Sequence, residues 1–141
     1  MGIQAAEHAE YNPNASTLLI VPAACPVSNR PAGAPRLSSK LKVKLRLNSS
    51  AFQIYRQQEI EEEFNCNYEL NPAFQSAIEA KGLQMVGLGE RGEARIVELD
   101  NHRFFVATLF LPQLTSTEDR PHPLIVAYLK AVLSSREESL L

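Results

Sequence analysis

Charge of either sign in excess, cysteine and long apolar runs are all scarce here, and each shortage excludes something. A net charge of −2 over 141 residues gives no electrostatic reason to expect nucleic acid or an anionic membrane as a partner. Two cysteines, Cys25 and Cys66, make neither a disulfide framework nor a zinc pattern, so a reducing cytoplasm is the expected setting. The longest apolar run, Leu18 to Val27, is broken by Pro22 and Pro26 and is too short to cross a bilayer. Met1 is followed by Glu7, His8 and Glu10 rather than a basic stretch and an apolar core, so no secretory signal is visible.

What is present is an apolar fraction of 45%, enough for the core of one ordinary soluble domain. The composition changes once along the chain. Residues 1–11 read as a short helical remnant. Residues 12–38 hold Pro13, Pro22, Pro26, Pro31 and Pro35 and read as a long loop with at most a strand at Leu18–Val21. Residues 39–135 are strongly patterned, and 136–141 form a tail that should fray.

Within the patterned part, Lys40 to Leu47 alternates basic and apolar residues. That predicts a strand with Leu41, Val43, Leu45 and Leu47 on the covered face. The basic row Lys40, Lys42, Lys44 and Arg46 invites a phosphate-binding reading. The acidic segment Glu59, Glu61 and Glu63 favours a solvated face paired across strands instead. A second strand is expected from Glu59 to about Leu70. Asn71-Pro72 starts a helix, with Asn as the cap and Pro at the first helical position, and Gly82 ends it. Phe74 and Ile78 should face the core. Strands follow at Leu83–Leu88, Ala94–Leu99 and Phe104–Phe110, the first two joined as a hairpin through Gly89–Gly92. A final helix over Pro123–Leu133 carries Leu124, Ala127, Tyr128 and Val132 at helical spacing.

Several segments resemble the glutaminase domain of CTP synthases, a class I glutamine amidotransferase family. Ile54-Tyr55 with Glu59-Ile60 resembles I-Y-x-x-E-E-I, and Asn67-Tyr68-Glu69-Leu70-Asn71-Pro72 resembles R-Y-E-V-N-P. Gly82-Leu83 with Gly87 matches G-L-x-x-x-G. Glu98-Leu99, His102 and Phe104-Phe105 match E-L-x-x-H-x-F-F, and Pro121-His122-Pro123-Leu124, preceded by Arg120, resembles R-P-H-P-L. The likeness runs in order over residues 48 to 133. It implies a flavodoxin-like α/β three-layer sandwich with a central, largely parallel sheet, its N-terminal part missing. Exposed apolar strand faces should then drive self-association.

The same resemblance implies glutamine hydrolysis by a cysteine nucleophile, a histidine base and a glutamate that orients it. Where the family strand reads F-V-A-T-Q-F-H-P-E, this chain reads Phe105-Val106-Ala107-Thr108-Leu109-Phe110-Leu111-Pro112-Gln113. Leu111 therefore stands at the histidine position and Gln113 at the glutamate position. Leu111 cannot accept a proton and Gln113 carries no charge. Asn67 stands where the family arginine helps hold substrate, leaving Asn67 and Tyr68 as vestigial binding residues and glutamine binding doubtful. Cys25 lacks the glycines of the G-x-C-x-G elbow, and Pro26 removes the backbone N–H that should follow the sulfur. Cys66 is expected mid-strand. The elbow is expected upstream of Met1.

His102 and His122 recur in the family as scaffold residues, and His8 has no second ligand pair for a metal; no metal or cofactor is expected. No G-x-x-x-x-G-K-[ST] loop occurs, which excludes a complete synthetase. Three readings remain open: a degenerate binding or regulatory module with a synthase-type protein partner, part of a longer amidotransferase with its cysteine upstream, and an enzyme of altered chemistry.

Overall fold

The computed structural model describes residues 2–23 and 38–138. Strands β1 (Glu7–His8), β2 (Leu18–Pro22) and β5 (Tyr68–Leu70) form a small sheet in the order β1-β2-β5. Strands β3 (Ser38–Leu45), β4 (Glu59–Asn65), β6 (Leu83–Leu88), β7 (Ala94–Leu99) and β8 (Val106–Thr108) form a larger one, ordered β4-β3-β6-β7-β8. Helices α1 (Ser50–Tyr55), α2 (Gln75–Glu79) and α3 (Pro123–Glu138) complete the set, with 3-10 turns at Pro72–Phe74 and Pro112–Leu114.

The larger sheet is antiparallel throughout. A largely parallel sheet was expected, but β6, β7 and β8 are joined by turns too short for a parallel crossover. Parallel pairing occurs between β1 and β2. The helical remnant expected over residues 1–11 is instead this short strand, held by Glu7 N–H donating to Thr17 O and Ala9 N–H to Ile20 O. Cys25 and the proline-rich stretch over 24–37 lie outside the described residues.

The basic row meets the acidic one. Lys40 pairs in register with Glu63, Lys42 with Glu61 and Lys44 with Glu59, and Lys42 Nζ lies 2.9 Å from Glu59 Oε1. The alternation predicted for β3 holds at Val43 and Leu45, which are buried, but Leu41 and Leu47 are exposed. Leu47 falls beyond the strand, which ends at Leu45.

The single strand expected from Glu59 to Leu70 is broken. Cys66 and Asn67 sit between β4 and β5, and the two halves join different sheets. Cys66 is therefore at a break rather than mid-strand, and its S–H donates to Tyr68 O at 3.2 Å. Asn71 caps as its sequence predicts, its Oδ1 accepting from Ala73 N–H at 3.1 Å. The segment it opens is a 3-10 turn running into α2. The strand expected over Phe104–Phe110 shrinks to β8, since Asp100–Phe105 is taken up by turn and loop.

Helix α1 was not legible in the sequence. It is six residues long and is held by its ends: Ser49 Oγ accepts from Phe52 N–H at 3.0 Å, and the Glu98 carboxylate accepts from the Ser50 and Ala51 N–H groups. Arg56 closes the helix in the left-handed region, φ 57°, where a Cβ is strained. Arg56→Gly is expected to raise stability by up to about 1 kcal/mol, read as a higher urea midpoint.

Two buried clusters support the layers. Val43, Leu45, Ile60, Phe64, Val86, Ile96 and Phe110 fill the larger sheet's covered side with Ala51 of α1 and Leu124 of α3. Ile78, Met85 and Ala94 form the second, into which Leu19 and Leu70 of the small sheet pack. Gly87 is demanded by close approach, because a Cβ there would lie 2.7 Å from Ile96 Cγ1.

Candidate functional site

The segment after β8 carries the two positions singled out by sequence, and its backbone is tightly held. Leu109 N–H donates to Arg95 O at 2.9 Å, and Thr108 Oγ1 donates to Phe110 O at 2.7 Å. Phe110 is buried to 1% exposure, against Phe64 with ring centroids 5.6 Å apart. With that ring anchored, Leu111 emerges in extended conformation and Pro112 opens the 3-10 turn. Leu114 N–H closes the turn onto Leu111 O at 2.9 Å. Leu111 and Gln113 are both exposed. Such a turn offers a rigid frame with an apolar group and a neutral amide on it, neither able to take a proton.

Asn67 and Tyr68 are held elsewhere, Asn67 just before strand β5 and Tyr68 at its start in the small sheet. Ala23 N–H donates to Asn67 O at 2.8 Å, and Tyr68 stacks against His8 with ring centroids 4.7 Å apart. The chain's connection between this region and the 111–113 turn runs through Arg95. Glu69, next to Tyr68, accepts from Arg95 Nη2 at 3.2 Å, and the Arg95 carbonyl accepts from Leu109 N–H.

Arg95 belongs to a cluster of four charges that sequence reasoning missed. Its guanidinium also lies 2.7 Å from Glu93 Oε1 and 4.8 Å from the centre of the Phe64 ring. Arg91 adds a bidentate contact to Glu69 at 3.1 and 3.2 Å. Arg95, Glu69 and Glu93 are all buried. Gly89 makes room, because a Cβ there would collide with the Glu93 carboxylate. Burial pushes the Glu93 carboxyl up. Its own backbone N–H, the Arg95 guanidinium and the Arg91 N–H outweigh that and hold it below the ordinary carboxylate value. Opposite charges in such a cluster are mutually neutralising, so it braces the two regions and does not present net charge to a ligand.

A second buried polar group surrounds His122. Leu124 N–H donates to His122 Nδ1 at 3.3 Å, which leaves Nε2 to carry the proton and donate to Glu62 Oε1 at 3.0 Å. Tyr55 O–H donates to the same oxygen. Burial, and then that carboxylate, push the Tyr55 hydroxyl above the ordinary phenol range. His122 N–H donates to Ser116 Oγ at 3.0 Å, tying the start of α3 to the end of the 111–116 segment. The signal for Glu62 was in the sequence: it shares the inward phase of Ile60 and Phe64 along β4.

The ring nitrogens of the other histidines bond to neighbouring backbone. His102 Nδ1 accepts from Phe104 N–H at 3.2 Å, and His8 Nδ1 accepts from Glu10 N–H at 3.0 Å. Among the described residues no three His, Cys, Asp or Glu side chains are grouped to hold a metal ion. No helix among them is long and apolar enough to cross a membrane.

No family model matches the chain. Curated relatives do. A CTP synthase of Helicobacter pylori is 33% identical over 106 residues, covering 75% of this chain and 20% of the relative. One of Saccharolobus solfataricus is 29% identical over 134 residues, covering 95% and 25%, and one of Microcystis aeruginosa 38% over 96 residues, covering 67% and 18%. The chain thus spans about a fifth of the length of these relatives. Among solved structures, the glutaminase domain of Trypanosoma brucei CTPS with bound acivicin superposes with a TM-score of 0.80 at 23% identity. That match covers 92% of this chain and 51% of the other. By sequence and by fold, this chain is a homologue of CTP synthases and carries part of a class I glutamine amidotransferase-like domain resembling their glutaminase domain.

Proposed function

We propose that the chain is a catalytically degenerate glutaminase-type domain that works by binding, as a regulatory or partner-docking module, and not by hydrolysing glutamine. What supports this reading is the resemblance over the 111–113 turn, which sets Leu111 and Gln113 at the motif positions of the family base and its orienting carboxylate. Loss of a general base alone costs roughly a hundred- to ten-thousand-fold in rate. Asn67, in place of a substrate-holding arginine, weakens the case for glutamine as ligand in the same direction. A synthase-type protein is the proposed partner, in a cytoplasmic setting. The purified chain is expected to release no ammonia from glutamine above the uncatalysed rate. It is also expected not to retain acivicin, the compound bound in the trypanosomal neighbour. Cysteine-dependent turnover would overturn the reading.

A second reading is favoured by one observation, that the chain matches only 51% of the neighbouring glutaminase domain. On it, the chain is the later part of an active amidotransferase whose nucleophile lies upstream. The intact mass of the protein made by its native host separates the two. A product well above 15.7 kDa directs the activity measurement to that longer protein, and ammonia release there would establish altered chemistry. A product at 15.7 kDa leaves binding as the function.

A further inference from the structure

His122 holds the start of α3 with both of its ring nitrogens committed. Its carbonyl accepts from Val126 N–H at 3.1 Å, which makes it the residue that caps the helix. Nδ1 accepts from Leu124 N–H at 3.3 Å, and Pro123 between them has no N–H of its own. Nε2 donates to Glu62 Oε1 at 3.0 Å. The backbone N–H of His122 donates to Ser116 Oγ at 3.0 Å, joining the helix to the segment that carries Leu111 and Gln113. His122 and Leu124 are both buried, so water is not at hand to replace the ring as a partner for the Leu124 N–H.

A second proton on this ring has one place to go. Nε2 already carries one, so the second enters at Nδ1. Nδ1 then becomes a donor facing the Leu124 N–H, itself a donor, and the cap is lost. No acidic side chain lies in the first turn of α3 to offset positive charge at the helix N-terminus. Of the elements packed against the ring, α1 supplies Tyr55, whose Oη lies 3.4 Å from Nε2, and β4 supplies Glu62. The segment after β8 supplies the uncharged Phe110 ring. Tyr55 keeps its proton, since its hydroxyl is pushed above the phenol range. Asp119 and Arg120, in the loop before the helix, are exposed. With the second proton in place the contact to Glu62 becomes an ion pair. That offsets the lost cap, so the change stays at the start of α3.

We propose that His122 is a proton-operated switch: a second proton on its imidazole releases the first turn of α3 and, through Ser116, the segment that carries Leu111 and Gln113. The switch is independent of whether the 111–113 turn serves catalysis or binding.

Heteronuclear NMR of the full chain tests this by following the His122 ring nitrogens and backbone amide exchange from about pH 8 to about pH 5. The expected starting form is the neutral ring with its proton on Nε2, converting to the imidazolium within that range. Protection factors at the Leu124 and His122 amides should fall with the conversion, roughly two- to thirtyfold, the range for losing a helix cap. Amides of β6 and β7 should keep theirs. His122→Asn puts an amide oxygen where Nδ1 stands and removes the titration, so protection at Leu124 should become indifferent to pH. The wild-type titration decides alone should that variant misfold. A ring that stays neutral down to about pH 5, or one with its proton on Nδ1 at about pH 8, overturns the proposal. So does an imidazolium with Leu124 protection unchanged, or a loss of protection shared equally by β6 and β7. A pH response that survives in His122→Asn overturns it as well.

Discussion

Arg95→Met is expected to lower the free energy of unfolding by about 3–5 kcal/mol, the cost of breaking a buried ion pair by removing one partner. Met keeps the aliphatic stem of Arg but not the guanidinium that lies over Phe64, so the loss combines charge with that ring contact. Glu69 and Glu93 would stay buried, with Arg91 as the remaining cation of the cluster. In a domain whose total stability is typically 5–15 kcal/mol, that change is easily read from urea unfolding. Arg91→Met is the control: its side chain is 47% exposed, so roughly 1 kcal/mol or less is expected.

The pH dependence separates charge loss from packing loss. Glu93 is held below its ordinary value in the folded protein, so its contribution is fully present above the unfolded carboxylate value. It fades as pH falls through the lower, folded value. Wild-type stability should therefore hold from neutral pH down to about 5 and then decline. In Arg95→Met a buried carboxylate has lost its counter-charge, and burial then pushes it up. That variant should gain stability between pH 7 and about 5, as the carboxyl takes a proton. Parallel pH curves for the two proteins would contradict the assignment.

Phe110→Ala carries the second large effect, about 3–5 kcal/mol for emptying a fully buried aromatic site. Phe110 touches Phe64 and His122 in one cluster and is the anchor from which the 111–113 turn emerges. The variant should therefore lose stability and also loosen the turn, seen as faster amide exchange at Leu114, whose N–H closes it. Leu111→Ala, at a side chain 38% exposed, should change stability by less than about 1 kcal/mol. A comparable loss in both variants would mean that the turn holds the core, and not the core the turn.

Much of the fold could be read directly because its determinants are local. The strands Leu83–Leu88 and Ala94–Leu99, the hairpin through Gly89–Gly92 and the Asn71 cap appear where predicted. Period-two patterning, glycine at turns and a capping side chain each act within a few residues. The cross-strand pairing of the Lys40–Lys44 row with Glu59–Glu63 was legible too, since alternation and charge sign suffice to suggest it.

What failed depended on partners distant in sequence. Strand β4 and strand β5 could not be told apart, because only pairing with β3 on one side and β2 on the other separates them. Helix α1 is too short to signal itself and is held by Glu98, 47 residues away. Nothing in the local pattern says that Glu62 meets His122 or that Arg95 meets Glu69; burial decided both. For the candidate site, the residue types at 111 and 113, a leucine and a glutamine with no titratable side chain, were decided by the sequence alone. That those residues stand on a rigid, core-anchored turn, braced through Arg95 to the strand of Tyr68, was decided by the tertiary structure, because a buried charge keeps its place only where the whole fold brings its counter-charges to it.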